Sequence, residues 1–314
     1  IEKVCSVGMP ALFVMLVICI IRSCTLEGAS EGLKYMFVPG WALANGVIKE
    51  APNFFSVVST AGGQMFFSLS LGMAAMITYG SYLDKKENLQ KNAIIIVVMD
   101  TLVALMAGLC VIPGRFALDP AGNLGGPSLL FVTMQNVFDR MGGAGPVFGI
   151  LFYLLVVFAA VSSSISLLEA VVAHYVDRAR DQGKGDKRKA YSVLAGIAAG
   201  ILCVIVCLDS LGNAGISPAD ILGMRGTMEK LPTWSADWLD FFDCIAEGIL
   251  MPLGALLMSI MYGWEIGPEV VHAEATREGQ SFGAYGWFKI CIKYITPLCM
   301  LLVLYGQIKE FFFV

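Results

Sequence analysis

The chain has 314 residues, of which 57% are hydrophobic and only 15% are charged, and its formal net charge is −4. Soluble domains carry about 25% charged residues, so this composition predicts an integral membrane protein. The small and dispersed net charge excludes an extended basic surface and gives no reason to expect a nucleic-acid partner. A lipid bilayer is the surrounding that the composition predicts.

The chain contains 9 cysteines, which are scattered and show no metal-ligand spacing. Most of them lie inside apolar segments, where we expect small buried hydrophobic residues rather than a disulfide framework. These are Cys5, Cys19, Cys110, Cys203, Cys207, Cys291 and Cys299.

Long apolar runs with few charges predict an all-α fold with about seven transmembrane helices. In chain order the predicted spans are 4–21, a second span inside the uncharged segment 51–83, then 92–114, 142–174, 190–208, 241–264 and 294–306. Pro10 should kink the first span. The last span is short, and Lys293 beside it is expected to extend its ammonium group to the interface.

The second span carries an unusual pattern, GGQMFFSLSLGMAAMITYGSYL at 62–83. Ser68, Ser70 and Gly72 lie in its middle, where an uninterrupted lipid-facing helix would be apolar. Hydroxyls and a central glycine favour a helix that is broken at the midplane and lines a polar cavity, as at the binding sites of secondary transporters. The alternative is an unbroken helix whose small residues pack closely against a neighbour. Composition alone leaves both open.

We expect one transmembrane domain over 1–314, with a structured outer loop at 115–141 and a solvated cytoplasmic loop at 176–189. In the outer loop, Gly125-Gly126-Pro127 precedes a short amphipathic pattern that predicts a helix on the outer face. Ser217 followed by Pro218 predicts a further helix start, with a serine cap and proline at the first helical position.

The distribution of basic residues predicts the orientation. If Ile1 is cytoplasmic, the cytoplasmic side holds 13 of the 21 Lys and Arg residues, although the outer loops are longer. The positive-inside rule favours this arrangement. The 13 are Lys3, Lys85, Lys86, Lys91, Arg178, Arg180, Lys184, Lys187, Arg188, Lys189, Arg277, Lys289 and Lys293.

Asp100 is the most informative single residue, because it lies about 12 Å inside the third span at 1.5 Å per residue. An ionised carboxylate at that depth is costly, so we expect it to face the bundle interior and meet a cation, a proton or a hydrogen-bond donor. The alternative is a structural hydrogen bond between helices.

The fourth span contains a run of serines, Ser162, Ser163 and Ser164, with Ser166 just after. Positions 159, 162 and 163 share one helix face. Hydroxyls and carbonyls on such a face can replace the water shell of a hard cation. Alternatively, the serines bond back to carbonyls of their own helix.

Other acidic residues give weaker signals, because acids at membrane boundaries are usually solvated. They are Glu169, Asp177, Asp237 and Asp240. Nothing places a nucleophile beside a base, and the sequence has no phosphate-binding loop and no zinc spacing. The chain is therefore not expected to be an enzyme.

Three motifs, GQMFFSLSLGMAAMITYGSYL, AAVSSSISLLEAVVAHYVD and YITPLCMLLVL, closely resemble the neurotransmitter:sodium symporter family, and its bacterial amino-acid members most of all. The likeness covers essentially the whole chain. It implies that the seven spans correspond to helices five to eleven of the inverted-repeat fold, in which discontinuous helices lie at the midplane. The first four helices would then belong to the same full-length protein, which would explain a chain beginning at Ile1.

The resemblance implies two sodium sites. Ser68 matches the hydroxyl ligand of the first site, and Asp100 falls where most members have a sodium-ligating asparagine. Ala159, through its carbonyl, matches the second site together with Ser162 and Ser163.

The resemblance also implies a substrate pocket and two gates. The pocket residues would be Phe67, Ser68, Ser70, Gly72, Met73, Ser163 and Leu167, with Phe67 as an aromatic lid and Ser70 at the unwound turn. Gln64 and Asp240 match the outer gate, and Tyr82 and Asp177 match the inner gate. The arginine partner of each gate would lie on the missing helices.

Two departures from the family pattern refine the expectation. Asp100 replaces the usual asparagine, and Ala104, one turn on, replaces the glutamate or serine that distinguishes chloride-independent from chloride-dependent members. Asp100 would then supply the fixed negative charge itself, so chloride is not expected to be required. Met73 stands where the bacterial leucine transporter has an aromatic residue, and a flexible thioether suits varied apolar substrates.

These observations predict a sodium-coupled symporter of the inner membrane that imports a hydrophobic or aromatic L-amino acid by alternating access. Two alternatives remain open at this point. One is a proton-coupled amino-acid permease that uses Asp100, and the other is a membrane protein that binds or senses its ligand without transporting it.

Overall fold

A computed structural model describes residues 2–122, 125–185, 187–225, 227 and 230–312. The predicted all-α fold is confirmed, since the regular secondary structure of the described residues consists of helices. Ile1 and the side chains of residues 2–7, which include Lys3 and Cys5, lie outside the described part, so the expectations placed on them stay untested.

The first predicted span forms α1, Glu2–Cys24, which is followed after a short turn by α2, Ala29–Phe37. The sharp change of direction, 111°, lies at this turn and not at Pro10, which α1 accommodates within its length. Gly28 permits the turn because its φ is 88°, in the left-handed region that glycine adopts without steric cost.

The second predicted span is broken, as one of the two interpretations proposed. Its two halves are α3, Phe54–Ser68, and α4, Ala75–Ser81, with non-helical backbone at 69–74 between them, and we call them the outer and the inner half after the orientation expected from the sequence. Asn53 caps α3 by accepting a hydrogen bond from the Phe55 amide at 3.0 Å.

The remaining helices are α5 (Leu89–Leu118), α6 (Met134–Arg140), α7 (Gly145–Asp181), α8 (Arg188–Asp209), α9 (Trp238–Glu265) and α10 (Tyr285–Phe312). All except α6 are long and apolar enough to cross a membrane, which gives five such helices in the described residues, or six with the bent pair α1–α2. Neither half of the broken span meets that criterion alone, which accounts for the difference from the seven predicted spans. Shorter helices connect them at Trp41–Ala44, Gly126–Ser128, Pro218–Ile221, Thr233–Ala236 and Pro268–Ala275.

Two predicted boundaries were wrong. The last span is not short, because α10 continues through polar residues at both ends to reach 28 residues. The loop predicted at 176–189 is shorter, because α7 runs on to Asp181 and α8 begins at Arg188. In both places charged residues extend the helix beyond its apolar part, which hydropathy alone does not show.

The chain divides into two compact units, 1–51 with 97–166, and 52–96 with 167–314. The core of the first unit is an apolar cluster of Leu16, Cys19, Cys110, Met134, Val137, Phe138 and Phe152. The core of the second is a cluster of Phe66, Met251, Leu256, Met300 and Val303, which joins α3 to α9 and α10.

Helix α9 is interrupted by π-helical turns at Cys244–Leu250 and Met261–Glu265. Pro252, fully buried, follows the first of them. Proline has no amide hydrogen to bond the carbonyl one turn earlier, and such helices commonly widen at that place. Residues Asp243 and Glu247 lie half-buried at this first wide turn.

The predicted helix start at Ser217 is confirmed. The Ser217 hydroxyl accepts from the Asp220 amide at 3.3 Å, and the Asp220 carboxylate accepts from the Ser217 amide at 3.1 Å, forming a capping box. The Ser217 hydroxyl and the Arg225 guanidinium together hold the pKa of Asp220 below its usual value.

The cysteines in the described residues are free, which agrees with the expectation of no disulfide framework among them. Cys19 and Cys110 are buried as expected. The expectation of burial was wrong for three others, because their helices present them on open faces: Cys203, Cys207 and Cys299.

Candidate functional site

The candidate site is organised around the break at 69–74 in the second unit. Three residues of this stretch have left-handed backbone at alternate positions: Ser70 at φ 54°, Gly72 at φ 74° and Ala74 at φ 65°. The Leu71 amide closes the end of α3 by donating to the Phe66 carbonyl at 2.8 Å. Backbone groups that a continuous helix would pair internally are thereby turned out of the helix axis.

The two adjacent phenylalanines before the break have opposite surroundings. Phe66 is 1% exposed in the core of the second unit, whereas Phe67 is 53% exposed and the half-buried Met73 lies against that core. Phe67 is therefore available to a ligand, as the expected role of lid requires. Ser68 is exposed at the last position of α3, and Ser70 is half-buried.

The outer half of the broken span packs closely on α10 through small residues. The Ser59 hydroxyl donates to the Val303 carbonyl at 3.4 Å, and the buried Gln307 amide donates to the Ser59 carbonyl at 3.3 Å. A side chain on Gly306 would overlap that of Ser59, so the two backbones approach as only small residues allow.

The inner half ends in a polar cluster that the sequence did not predict. The Tyr82 hydroxyl donates to the Glu169 carboxylate at 2.6 Å, and the Arg188 guanidinium donates to both oxygens of the same carboxylate. The Glu169 side chain is only 10% exposed, while that of Arg188 is 46% exposed. A buried carboxylate with a charged partner and a hydroxyl donor is well compensated.

This cluster changes the picture of the expected inner gate. Tyr82 belongs to it, but among the described residues no hydrogen bond joins Tyr82 to Asp177, which is exposed two turns further along α7. Glu169 was expected to be an ordinary boundary acid, and the available signal was its position one to two turns inside the inner end of the predicted fourth span.

The expected outer-gate residues are placed separately. Gln64 is exposed on α3, and Asp240 is half-buried in the first turn of α9, where its amide donates to the Asp237 carboxylate at 2.7 Å. No hydrogen bond within the described part of the chain connects Gln64 to Asp240.

The residues expected at the second sodium site, Ala159, Ser162 and Ser163, lie on the part of α7 that belongs to the first unit. The Ser162 hydroxyl lies 2.8 Å from the Ala159 carbonyl oxygen and donates to it, and Ser163 is exposed at the next position. Ser164 and Ser166 also bond to carbonyls of their own helix. The back-bonding alternative thus describes three of the four serines. It does not exclude a cation, since a donating hydroxyl keeps its oxygen lone pairs.

Asp100 lies half-buried in α5 of the first unit. Because α5 begins at Leu89, Asp100 is about 17 Å from the helix start at 1.5 Å per residue. Leu167, the last expected pocket residue, is 43% exposed on α7 in the second unit.

Comparisons with known proteins agree with the resemblance. A model of the sodium:neurotransmitter symporter family matches residues 2–312. The chain is 33% identical to the uncharacterized sodium-dependent transporter YhdH of Bacillus subtilis, covering 96% of the chain and 60% of that protein. It is 30% identical to an uncharacterized sodium-dependent transporter of Haemophilus influenzae, covering 96% and 59%, and 24% identical to the sodium- and chloride-dependent creatine transporter 1 of the rabbit, covering 92% and 42%.

The chain thus spans about 60% of the length of the bacterial relatives that it matches. Proteins of the matched family are multi-pass membrane transporters and not enzymes, which confirms the class read from the sequence. A bacterial inner membrane is consistent with these relatives and with the apolar helices of membrane length.

Proposed function

Because the chain belongs to the sodium:neurotransmitter symporter family, we propose that it is the substrate-binding part of a symporter that couples sodium entry to uptake of a hydrophobic or aromatic L-amino acid. The observation that carries the proposal is the break at 69–74, where alternate residues are left-handed and where Ser68 lies just before and Ser70 within the unwound backbone. Such a break offers unpaired backbone groups to a zwitterionic substrate and to a cation.

The substrate side of the proposal rests on the chemistry around this break. Phe67 and Leu167 offer exposed apolar surface, and Met73 adds a flexible thioether. With the backbone at Ser70 and Gly72, these residues can hold an amino acid whose side chain is apolar. Ser163 completes the proposed pocket.

Two sodium ions are proposed as co-transported substrates. Ser68 and Asp100 would supply a hydroxyl and a carboxylate to the first, and the Ala159 carbonyl with Ser162 and Ser163 would supply neutral oxygens to the second. Hard monovalent cations accept such oxygen sets. Chloride would not be required, because the Asp100 carboxylate provides a negative charge near the first ion.

Transport by alternating access requires that sodium and substrate bind the outward and inward states with different affinities. Gln64 and Asp240 would close the outer side, and Tyr82 and Asp177 the inner side, with partners on the N-terminal helices that the resemblance implies for the full-length protein. Those N-terminal helices are the expected partner within the full-length protein.

The test is uptake of radiolabelled amino acids by the full-length protein in proteoliposomes, with an inward sodium gradient and then with potassium in its place. Sodium-dependent accumulation of a hydrophobic amino acid is expected, and small polar amino acids should compete weakly. Uptake that follows a pH gradient and ignores sodium would instead support a proton-coupled permease, and binding without uptake would support a sensor.

Chloride independence has its own test. Replacing chloride by gluconate should leave uptake by the wild-type protein unchanged. The variant Asp100→Asn should lose uptake or come to depend on chloride, because the fixed negative charge is gone. An Asp100→Asn protein that transports normally without chloride would contradict the role proposed for this carboxylate.

A further inference from the structure

The break at 69–74 lies against helix α9 with backbone meeting backbone. A Cβ atom on Gly254 of α9 would lie only 2.8 Å from the Gly72 carbonyl oxygen, closer than real Cβ atoms come to other atoms. A Cβ atom on Gly72 would in turn overlap the Met251 carbonyl. Neither position has room for a side chain, and at Gly72 the left-handed φ of 74° gives a second reason for glycine.

Apolar contacts hold the break against α9 on both sides of this contact. Phe66 before the break packs with Met251 and Leu256 of α9, and Leu71 and Met73 within it pack on the same cluster. These side chains fix which part of α9 the break touches. The distance between the break and the axis of α9 is then limited by the backbone at Gly254.

We propose that Gly254 is a positioning residue of the binding site. Because Gly254 has no side chain, the break lies directly against α9, and this contact determines the position of the carbonyl groups at 69–74. This inference rests on the function proposed above, in which Ser68, Ser70 and Gly72 contact the ligands. Gly254 itself touches neither ligand and acts through Gly72.

A methyl group at position 254 would move the break rather than unfold the protein. The break borders a cleft of about 380 Å³ between α3, α9 and α10, lined by Leu71, Gly72, Met258, Tyr262 and Thr296 among others. A displaced Leu71–Gly72 peptide can relax into this space. The cost should therefore appear in ligand affinity, since the loss of one hydrogen bond to a ligand lowers its affinity about 10-fold.

The experiment compares Gly254→Ala and Gly254→Leu with matched changes at Gly200 in α8, where nothing lies within 4 Å of a Cβ position. The full-length protein is reconstituted, and KM for the amino acid, half-saturating sodium and maximal uptake per protein molecule are measured. Gly254→Ala should raise KM and half-saturating sodium about 10-fold or more. Gly254→Leu should raise them further, and both Gly200 variants should stay within twofold of wild type.

Hydrogen–deuterium exchange on the peptide covering 69–74 gives a readout that needs no transport. Gly254→Ala should accelerate exchange there, with wild-type exchange in α8. Unchanged exchange together with an unchanged KM would overturn the inference. A lower maximal uptake with KM unaltered would also overturn it, because that pattern describes a structural role only.

The two proposals fail in different ways. If the wild-type protein shows no sodium-dependent uptake, the proposed function is wrong, and exchange at 69–74 still decides whether Gly254 positions the break. If wild type transports and Gly254→Ala has normal affinities and exchange, only the positioning role is lost.

Discussion

The two halves of the broken span are held by different kinds of interaction. The outer half, α3, is fixed along its length by close packing of small residues on α10, where Gly62 and Gly63 meet Val303 and Gln307. The inner half, α4, presents Ile77 at 56% exposure and has open space beside Gly80. Its end is tied by a single polar cluster.

This difference indicates which half is the more readily released. Close packing has many contributions that must be lost together, whereas a polar cluster at one point can be exchanged for water or for another partner. We expect the outer half to behave as a fixed support and the inner half as the mobile element. Local opening should therefore be concentrated in 75–82.

Of the variants that test this comparison, Glu169→Ala is expected to change the stability of the inner half most, because it removes the carboxylate at the centre of the cluster. Tyr82 and Arg188 would both lose their acceptor, costing the inner half about 2–3 kcal/mol, less than for a fully buried pair because Arg188 is partly hydrated. Hydrogen exchange over 75–82 should rise about 100-fold. Asp181→Ala, at an exposed acid on the same helix, is the control. Equal exchange in the two variants would show that the cluster does not hold α4.

A glycine pair tests the packing difference directly. Gly63→Ala places a methyl group against the buried Gln307 amide and should lower the free energy of unfolding by about 1–3 kcal/mol, as overpacking does. Gly80→Ala meets nothing within 4 Å and should raise it by about 0.5–1 kcal/mol through helix propensity. Thermal unfolding in detergent measures both. Similar melting temperatures for the two variants would refute the contrast between the halves.

A smaller effect is expected from Tyr82→Phe, which removes one hydrogen bond and leaves the ion pair between Glu169 and Arg188 in place. The loss should be about 1–1.5 kcal/mol, confined to the inner half. Exchange at 75–82 should increase about 10-fold while that at 54–68 is unchanged. An increase of the same size in both segments would argue against independent halves.

The smallest effect is expected at the junction itself. Ala74 adopts a left-handed backbone, which costs an L-residue about 1–2 kcal/mol, so Ala74→Gly should relieve this strain. The greater freedom of glycine in the unfolded chain offsets part of the gain, leaving about 0.5 kcal/mol of added stability. Ala75→Gly, one residue on inside α4, should destabilise instead. A destabilising Ala74→Gly would mean that the strain is absent.

Much of this arrangement was predictable from residue types. Ser68, Ser70 and Gly72 in an otherwise apolar run indicated where a break would lie, although the sequence left an unbroken, closely packed helix equally open. Ala74 could not be predicted as left-handed, since its residue type does not favour that conformation. Sequence alone therefore placed the break but not its inner boundary.

The inner cluster escaped prediction for another reason. The loop between the helices of Glu169 and Arg188 is shorter than the sequence predicted. Hydropathy also does not show which side chain an acidic residue at the membrane boundary contacts. Tyr82 was expected to belong to the inner gate together with Asp177, and Glu169 is the hydrogen-bond partner that the structure gives it. Contacts between segments far apart in the sequence depend on tertiary packing. The spacing of residues along a single sequence does not predict them.

The π-helical turn at Cys244–Leu250 has a consequence for insertions and deletions. Such a turn carries one residue more than an α-helical turn, so deleting one residue from it would restore the narrower helix. The residues after it would keep their faces, because the wider turn itself absorbs the extra residue. Gly254 would still meet Gly72, whereas the same deletion in an α-helical turn of α9 would rotate it by about 100° about the helix axis. The wide turn is thus the place in α9 where the loss of one residue least disturbs the contact with the break.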